Sequence, residues 1–263
     1  MGLLRIDRTK CKKDGICAAV CPRELIRQKG DAFPEEVPDA EQLCFECGHC
    51  VAACPTAALF NSRVTECLPF REDRRADAES VEQFLKMRRS IREFKPEPLP
   101  RDVLVHAIDT ARWAPSAINI QPVRWLVVEK PERTRLLAGL MADWMRTVGA
   151  GYLQPFIDAW DEGRDLVLRN APHVIVAHAS TENIWSPVDC TIAVTYLELA
   201  AQANGLGTCW SGLLVRAAEH NPRIPEFLNL PAGHKVYGAA MIGYPRFRYH
   251  RIPVRNQAAI DWV

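Results

Sequence analysis

From residue 80 onward the apolar positions fall at helical or strand spacing, and elements follow from them. Ser80-Val81-Glu82-Gln83 has the form of a capping box, and Val81, Phe84, Leu85 and Arg88 share one face of the helix it would open. Pro100-Arg101-Asp102 begins a second predicted helix running to about Trp113, with Val103, Ala107, Ile108 and Ala111 as its apolar stripe; Pro115 ends it. Val123 to Glu129 reads as a strand. Residues 131–170 look mostly helical, and His173 to Ala179 reads as a buried strand. Asp189 can cap a long apolar helix through about Asn204, followed by Gly205-Leu206-Gly207. Lys235 to Ile242 is a further strand. Few strands among long helices predict an α+β core of about 180 residues. No apolar stretch approaches the roughly 18–20 residues that a membrane helix needs.

The first 67 residues are organised by cysteine instead. One run is Cys11-Lys12-Lys13-Asp14-Gly15-Ile16-Cys17-Ala18-Ala19-Val20-Cys21-Pro22; the other is Cys44-Phe45-Glu46-Cys47-Gly48-His49-Cys50-Val51-Ala52-Ala53-Cys54-Pro55. Cysteines at i, i+3 and i+6 in a tight loop bring three soft thiolates to one small volume, as a cubane requires. The glycine after the second ligand position lets the backbone come close, and the proline after the last cysteine turns the chain. Zinc prefers two C-x2-C pairs, whereas the second run carries a third cysteine and then Cys-Pro, and the first repeats that frame with Asp14 at its second position. A disulfide framework needs an oxidising compartment, and no signal peptide is seen at the start. The runs repeat with an offset of 33 residues, which predicts a pseudo-two-fold unit over residues 1–67.

Each run resembles the C-x2-C-x2-C-x3-C-P pattern of two-cluster bacterial ferredoxins, with aspartate at position 14 as the one departure. In that family the fourth cysteine ligates the other cluster. The resemblance thus assigns Cys44, Cys47, Cys50 and Cys21 to one cluster, and Cys11, Cys17 and Cys54 to the other, with Asp14 in the open corner. Carboxylate is a harder ligand than thiolate. Three states fit that corner: a [4Fe–4S] cluster with Asp14 as ligand, one with water or hydroxide at that iron, or a [3Fe–4S] cluster. The plain alternative is a turn with Asp14 facing solvent. Cys67 lies outside the repeat, and His49 reads as a surface or hydrogen-bonding residue.

Composition narrows the rest. The chain has 263 residues, 48% hydrophobic and 25% charged, with net charge +1. That is enough for one large or two modest domains, and it gives no pointer to nucleic acid or a membrane surface. Residues 1–70 carry nine Lys/Arg and ten Asp/Glu, a near balance. Ten cysteines without an export signal predict a cytoplasmic location. The charge run Arg71-Glu72-Asp73-Arg74-Arg75-Ala76-Asp77-Ala78-Glu79 reads as a solvated stretch, so a linker is expected over 68–79 and a second domain over 80–263.

In that second domain four motifs occur in order. They are Arg88-Arg89-Ser90-Ile91-Arg92-Glu93-Phe94, Ala114-Pro115-Ser116-Ala117-Ile118-Asn119-Ile120-Gln121-Pro122, Gly205-Leu206-Gly207-Thr208-Cys209-Trp210-Ser211-Gly212, and Ile242-Gly243-Tyr244-Pro245 with the arginines at 246, 248, 251 and 255. Together they resemble the nitroreductase-type FMN flavoproteins over about residues 80–255, a family with a recognisable branch fused to ferredoxin modules.

The resemblance implies an α+β fold, FMN as cofactor, and a homodimer with the flavin at the subunit interface. Arginine's rigid fork suits the FMN phosphate, so Arg88 is expected there, with Arg251 as a later cation and Arg89 and Arg248 as further candidates. Ser90 and Asn119 would bond phosphate or ribityl oxygens. Arg92 would lie near the pyrimidine edge and tune the flavin potential. Pro115, Ser116, Ala117 and Asn119 would reach the flavin from the partner subunit, with Gln121 closing that loop. Trp210, Ser211 and Gly212 would lie along the ring. Cys190 and Cys209 read as small buried hydrophobes. The histidines at 106, 173, 178, 220, 234 and 250 show no pairing that suggests catalysis or a metal, and no catalytic side chain is expected. There is no G-x-G-x-x-G after a strand, although the family takes NAD(P)H directly over the flavin.

Two clusters joined to FMN predict a converter between one-electron and two-electron chemistry. An external reduced ferredoxin or similar donor would load the clusters, and the flavin would reduce a nitroaromatic, quinone or activated alkene. Two other readings stand beside it: an electron-transfer subunit without its own small substrate, and an NAD(P)H-oxidising flavoprotein that passes electrons out through the clusters.

Overall fold

A computed structural model describes residues 2–64, 67–149 and 151–263. The chain divides into two compact units: Met1–Arg75 with Ile118–Ile120, and Ala76–Ala117 with Gln121–Val263.

The first unit is built from β1 (Leu4–Ile6), α1 (Ile16–Ala19), β2 (Ile26–Arg27), β3 (Glu35–Glu36), α2 (Ala40–Leu43), α3 (His49–Ala52) and β4 (Leu59–Asn61). β1 pairs antiparallel with β4, and β2 with β3. The 33-residue repeat is also a repeat of backbone conformation. Gly15 and Gly48 precede α1 and α3 with φ of 73° and 72°, a left-handed geometry that glycine adopts without a Cβ penalty. Further along, Glu24 N–H donates to the Cys21 carbonyl and Ala57 N–H to that of Cys54. Two small apolar groups support the loops, one around Cys17, Ile26, Cys50 and Leu59, the other around Leu3, Leu25 and Ala40.

The second unit contains α4 (Ala78–Met87), α5 (Arg101–Ala111), β5 (Arg124–Val128), α6 (Pro131–Val148), α7 (Gln154–Asp161), β6 (His173–Ser180), α8 (Ser186–Ala203), β7 (Gly207–Trp210), α9 (Gly212–His220), α10 (Arg223–Phe227) and β8 (His234–Gly243). The strands form one antiparallel sheet in the order β5-β6-β8-β7. Side chains along β6 alternate between two cores, as period 2 requires. Val174 and Val176 join Leu137, Met141 and Leu214 on one face; Ile175, Ala177 and Ala179 join Leu104, Val194 and Leu197 on the other. The sheet is therefore covered on both sides, and β6 carries no polar alternation.

Several boundaries differ from the sequence expectation, for physical reasons. α4 begins at Ala78, because Asp77 is its N-cap and accepts from Ser80 N–H at 2.8 Å. Ser80 is thus an inner residue of the helix and not its cap. α8 begins at Ser186, three residues before Asp189. The helical stretch expected over 131–170 ends at Asp161; residue 150, within it, lies outside the described residues. β7, α9 and α10 had no counterpart in the sequence reading.

Candidate functional site

In the first unit the thiols line two separate cavities. Cys11, Asp14, Cys17 and Cys54 face one; Cys21, Cys44, Cys47 and Cys50 face the other. Each cavity thus takes its last cysteine from the opposite run, the crosswise sharing that the ferredoxin resemblance implies. None of the ten cysteines is paired in a disulfide. Among the described residues no three His, Cys, Asp or Glu side chains converge as a single metal ion requires.

The chemistry of the donor set fits iron–sulfur clusters. Backbone N–H groups already aim at sulfur: Leu25 at Cys21 Sγ (3.3 Å), Ala58 at Cys54 Sγ (3.2 Å) and Glu46 at Cys44 Sγ (3.4 Å). Burial pushes the Cys17 and Cys50 thiols up, and the positive charge of bound iron would offset that cost. At Cys54 burial also acts upward, but N–H groups of Ala58, Thr56 and Leu59 outweigh it and hold the thiol below its ordinary value.

Two side chains without a sequence signal complete these walls. The Asn61 amide, buried behind the second cavity, donates to Cys44 Sγ (3.7 Å) and Cys50 Sγ (3.9 Å). Its counterpart 33 residues earlier is Gln28, which lines the first cavity and donates to the Lys13 and Gly30 carbonyls, with its buried Oε1 unpartnered. Asp14 itself is exposed, and its Oδ1 accepts from Ile16 N–H at 3.2 Å. The carboxylate is thus both a turn former and part of the cavity wall.

In the second unit, backbone hydrogen bonds bring three of the four motifs together. Ile91 N–H donates to the Thr208 carbonyl (2.8 Å), and Ser90 bridges Thr208 in parallel. Gly207 is required there: a Cβ would sit 2.8–2.9 Å from Ile91 side-chain carbons. Lys95 N–H donates to the Tyr244 carbonyl and Arg246 N–H to that of Glu93, joining the first motif to the C-terminal segment. Arg89, Arg248 and Arg251 line one cleft together with Lys95 and Arg246. Arg92 lies in an adjoining recess with Arg248. Arg88 turns to buried Glu198, with Nη1 3.5 Å from Oε1.

The other candidates are more enclosed. Trp210 packs toward Gly238 and Gly212 beside the second core, and Ser211 is buried, its N–H donating to the Ala239 carbonyl. Gly212 opens α9.

The second motif is anchored elsewhere on α8. Ala117 N–H donates to Asp189 Oδ1 (3.0 Å), and Gln121 N–H to Ser116 Oγ (2.9 Å). Pro115, Ser116 and Gln121 line a recess with Asp189, whose buried Oδ2 has no partner. Asn119, at φ 58°, belongs to the segment grouped with the first unit. Asp189 and Glu198 are nine residues apart on one helix, hence about 13 Å along its axis. The two contacts therefore lie at different points along α8.

Cys190 and Cys209 are buried, as expected, and burial pushes the Cys190 thiol up to about 12. One histidine pair does form: His178 Nδ1 and His234 Nδ1 are 3.0 Å apart. It sits on adjacent strands of the sheet, β6 and β8.

Known proteins agree with this division. The nitroreductase family model matches residues 85–244, and a 4Fe-4S dicluster domain model matches residues 9–59. The chain is 25% identical over 196 residues to the iodotyrosine deiodinase of Thermotoga neapolitana, spanning 67% of this chain and 94% of that protein. Its fold is similar to the crystal structure of a nitroreductase with bound FMN from Bacteroides fragilis (20% identity, TM-score 0.58, 69% of this chain and 98% of that one). It is likewise similar to one from Desulfitobacterium hafniense, also with bound FMN (22% identity, TM-score 0.59, 70% and 97%). The nitroreductase match spans more than half of the chain, which therefore belongs to the nitroreductase family of oxidoreductases and carries a 4Fe-4S dicluster domain before it in sequence.

Proposed function

We propose that this protein is an FMN-dependent oxidoreductase in which two iron–sulfur clusters exchange single electrons with the flavin, which reduces a small organic acceptor. The observation that carries this reading is the presence, in one chain, of two thiol-lined cavities and an arginine-lined cleft built by the motifs of a flavoprotein family. When bound, the clusters supply one-electron transfer and FMN supplies two-electron chemistry.

The residues present fit FMN. A phosphate dianion needs cations, and Arg89, Arg248 and Arg251 line one cleft, with Arg88, held against Glu198, as a further candidate. Arg92 supplies positive charge for the pyrimidine edge. Ser90 offers a hydroxyl beside the phosphate, and Asn119 an amide for ribityl oxygens. Trp210, Ser211 and Gly212 would lie along the ring, and Pro115, Ser116, Ala117 and Gln121 would reach it from a second subunit. Cys21, Cys44, Cys47 and Cys50 would hold one cluster, and Cys11, Cys17 and Cys54 the other, with Asp14 as candidate at its fourth corner.

A homodimer is supported by apolar surface that one subunit leaves uncovered. Val81, Leu85 and Met87 of α4 are exposed, as are Trp185, Val188 and Tyr196 of α8 and Val254, Ile260 and Trp262 of the C-terminal segment. Exposed apolar area of this extent marks an association surface. Reduced ferredoxin or a similar carrier is the donor that suits the clusters, with NAD(P)H as the competing one.

The test is anaerobic turnover of the purified protein, donor by donor, against a nitroaromatic, a quinone, an activated alkene and an iodophenol. Acceptor reduction driven by reduced ferredoxin supports the reading. Electron passage to a second carrier without turnover of any small acceptor would make the protein a transfer subunit.

A further inference from the structure

α8 buries two carboxylates, Asp189 near its start and Glu198 near its end, the latter among small and apolar residues. Glu198 is 8% exposed, between buried Leu197 and Ala200. Its Oε1 faces Arg88 Nη1 at 3.5 Å and accepts from Thr208 Oγ1 at 3.3 Å. Arg88 follows the last turn of α4, and Thr208 is the β7 residue that Ser90 and Ile91 grip through the backbone. Glu198 therefore touches both strands of the first-motif crossing. The charged and titratable groups facing it are Arg88, from the end of α4, and the Cys209 thiol, on β7, with Arg92 beyond that thiol. α5, β6 and β8 press apolar residues on α8, among them Ala107, Ile175 and Ala240.

Two influences act in opposite directions on a carboxylate in this position, and burial, the larger, raises its pKa. Burial favours its neutral form, and the single guanidinium favours its charged form. A phosphate dianion that draws on the same guanidinium takes away the support for the charged form. We propose that Glu198 is a positioning residue that holds Arg88 for the FMN phosphate and takes up one proton from solvent as the phosphate binds, so that cofactor loading is linked to pH. This rests on the reading of FMN as the cofactor and Arg88 as its phosphate contact. Linkage fixes the sign: binding that takes up a proton strengthens as pH falls. Above about pH 7 a phosphate with its second pKa near 6 is already the dianion, so the ligand adds little slope of its own.

The experiment uses the full-length protein with clusters in place and flavin removed, titrated with FMN and separately with riboflavin between pH 7.0 and 8.5. Flavin fluorescence reads the affinity, and calorimetry in buffers of different ionisation heat counts protons. The FMN Kd should weaken several-fold, and at most about tenfold, per pH unit, while the riboflavin Kd stays flat. Proton uptake should accompany FMN alone. In Glu198→Gln, which keeps a hydrogen-bonding group of the same size, the FMN slope should vanish. A flat FMN profile in the unsubstituted protein, or an unchanged slope in Glu198→Gln, would overturn the proposal. Should the glutamine variant not fold, the FMN–riboflavin difference and the proton count in the unsubstituted protein still decide it. Binding of riboflavin as tightly as FMN would instead remove the phosphate contact, and failure of both flavins to bind would remove the cofactor reading and this proposal with it.

Discussion

Asn61 shows what a single side chain contributes at the cluster sites. Its amide points at two sulfurs of one cavity, and N–H donors to sulfur stabilise the more negative, reduced state of a cluster. Asn61→Leu should therefore shift the potential of the cluster at Cys21, Cys44, Cys47 and Cys50 downward. The expected shift is up to roughly 40 mV, about 1 kcal/mol for a one-electron couple. An EPR-monitored redox titration reads this; an unchanged or raised potential would show that the amide is only a packing group. Arg92→Ala should slow flavin reduction more than it lowers flavin content, and equal losses of both would count against an electronic role. The candidate cluster ligands stood out in the sequence because ligation fixes residue type and spacing together. Asn61, Gln28, Asp189 and Glu198 did not, because a lone polar residue has no spacing signal. Their meaning lies in partners tens of residues away: Cys44, Lys13, Ala117 and Arg88.

Between elements, the contacts that matter are few and testable. Asp189→Ala leaves the half-buried Ala117 N–H without its acceptor, a loss of about 1–3 kcal/mol. It should lower the melting temperature and, if the second motif reaches a flavin, the flavin content as well. A variant of unchanged stability would show that the loop is held by other means. Two histidines of β6 make the sheet sensitive to acid. His173 Nε2 accepts from Leu99 N–H at 2.7 Å, and His178 lies against His234. Burial holds both imidazoles below the ordinary value of 6.5, helped at His178 by His234 and Arg124. The unfolded chain therefore binds these protons more readily than the folded one. Their contribution is complete above about pH 6.5 and is lost as the pH falls through it toward the folded-state values. Thermal melts between pH 7.5 and 5.5 should show this loss, and His178→Gln should flatten the profile; an equal slope in the variant would place the effect elsewhere. The long periodic elements were readable in advance: α5, α6, β6 and β8 carry uninterrupted patterns. β7 was missed because its four residues lie inside a glycine-bearing motif, where composition reads as a turn. The starts of α4 and α8 moved because capping is decided by backbone geometry, which Asp77 satisfied before Ser80 could.

For the whole molecule, the proposed flavin site shared between two chains predicts a dimer. The protein should run at twice 29.6 kDa in sedimentation or light scattering, and Leu85→Asp on exposed α4 should weaken that association. A monomer that retains flavin would refute the shared site. The division into a cysteine-organised unit and an α+β unit was visible from the sequence, since one is written in ligand spacing and the other in hydrophobic period.

The most direct test of electron exchange between the two kinds of cofactor is stepwise anaerobic reduction of the isolated protein. It should be followed by visible absorption and EPR, with reduced ferredoxin, NADH and NADPH as separate donors. The expected result is that reduced ferredoxin bleaches the flavin and cluster signals appear on the way. Complete bleaching of the flavin by any of these donors while the clusters never change oxidation state would contradict it.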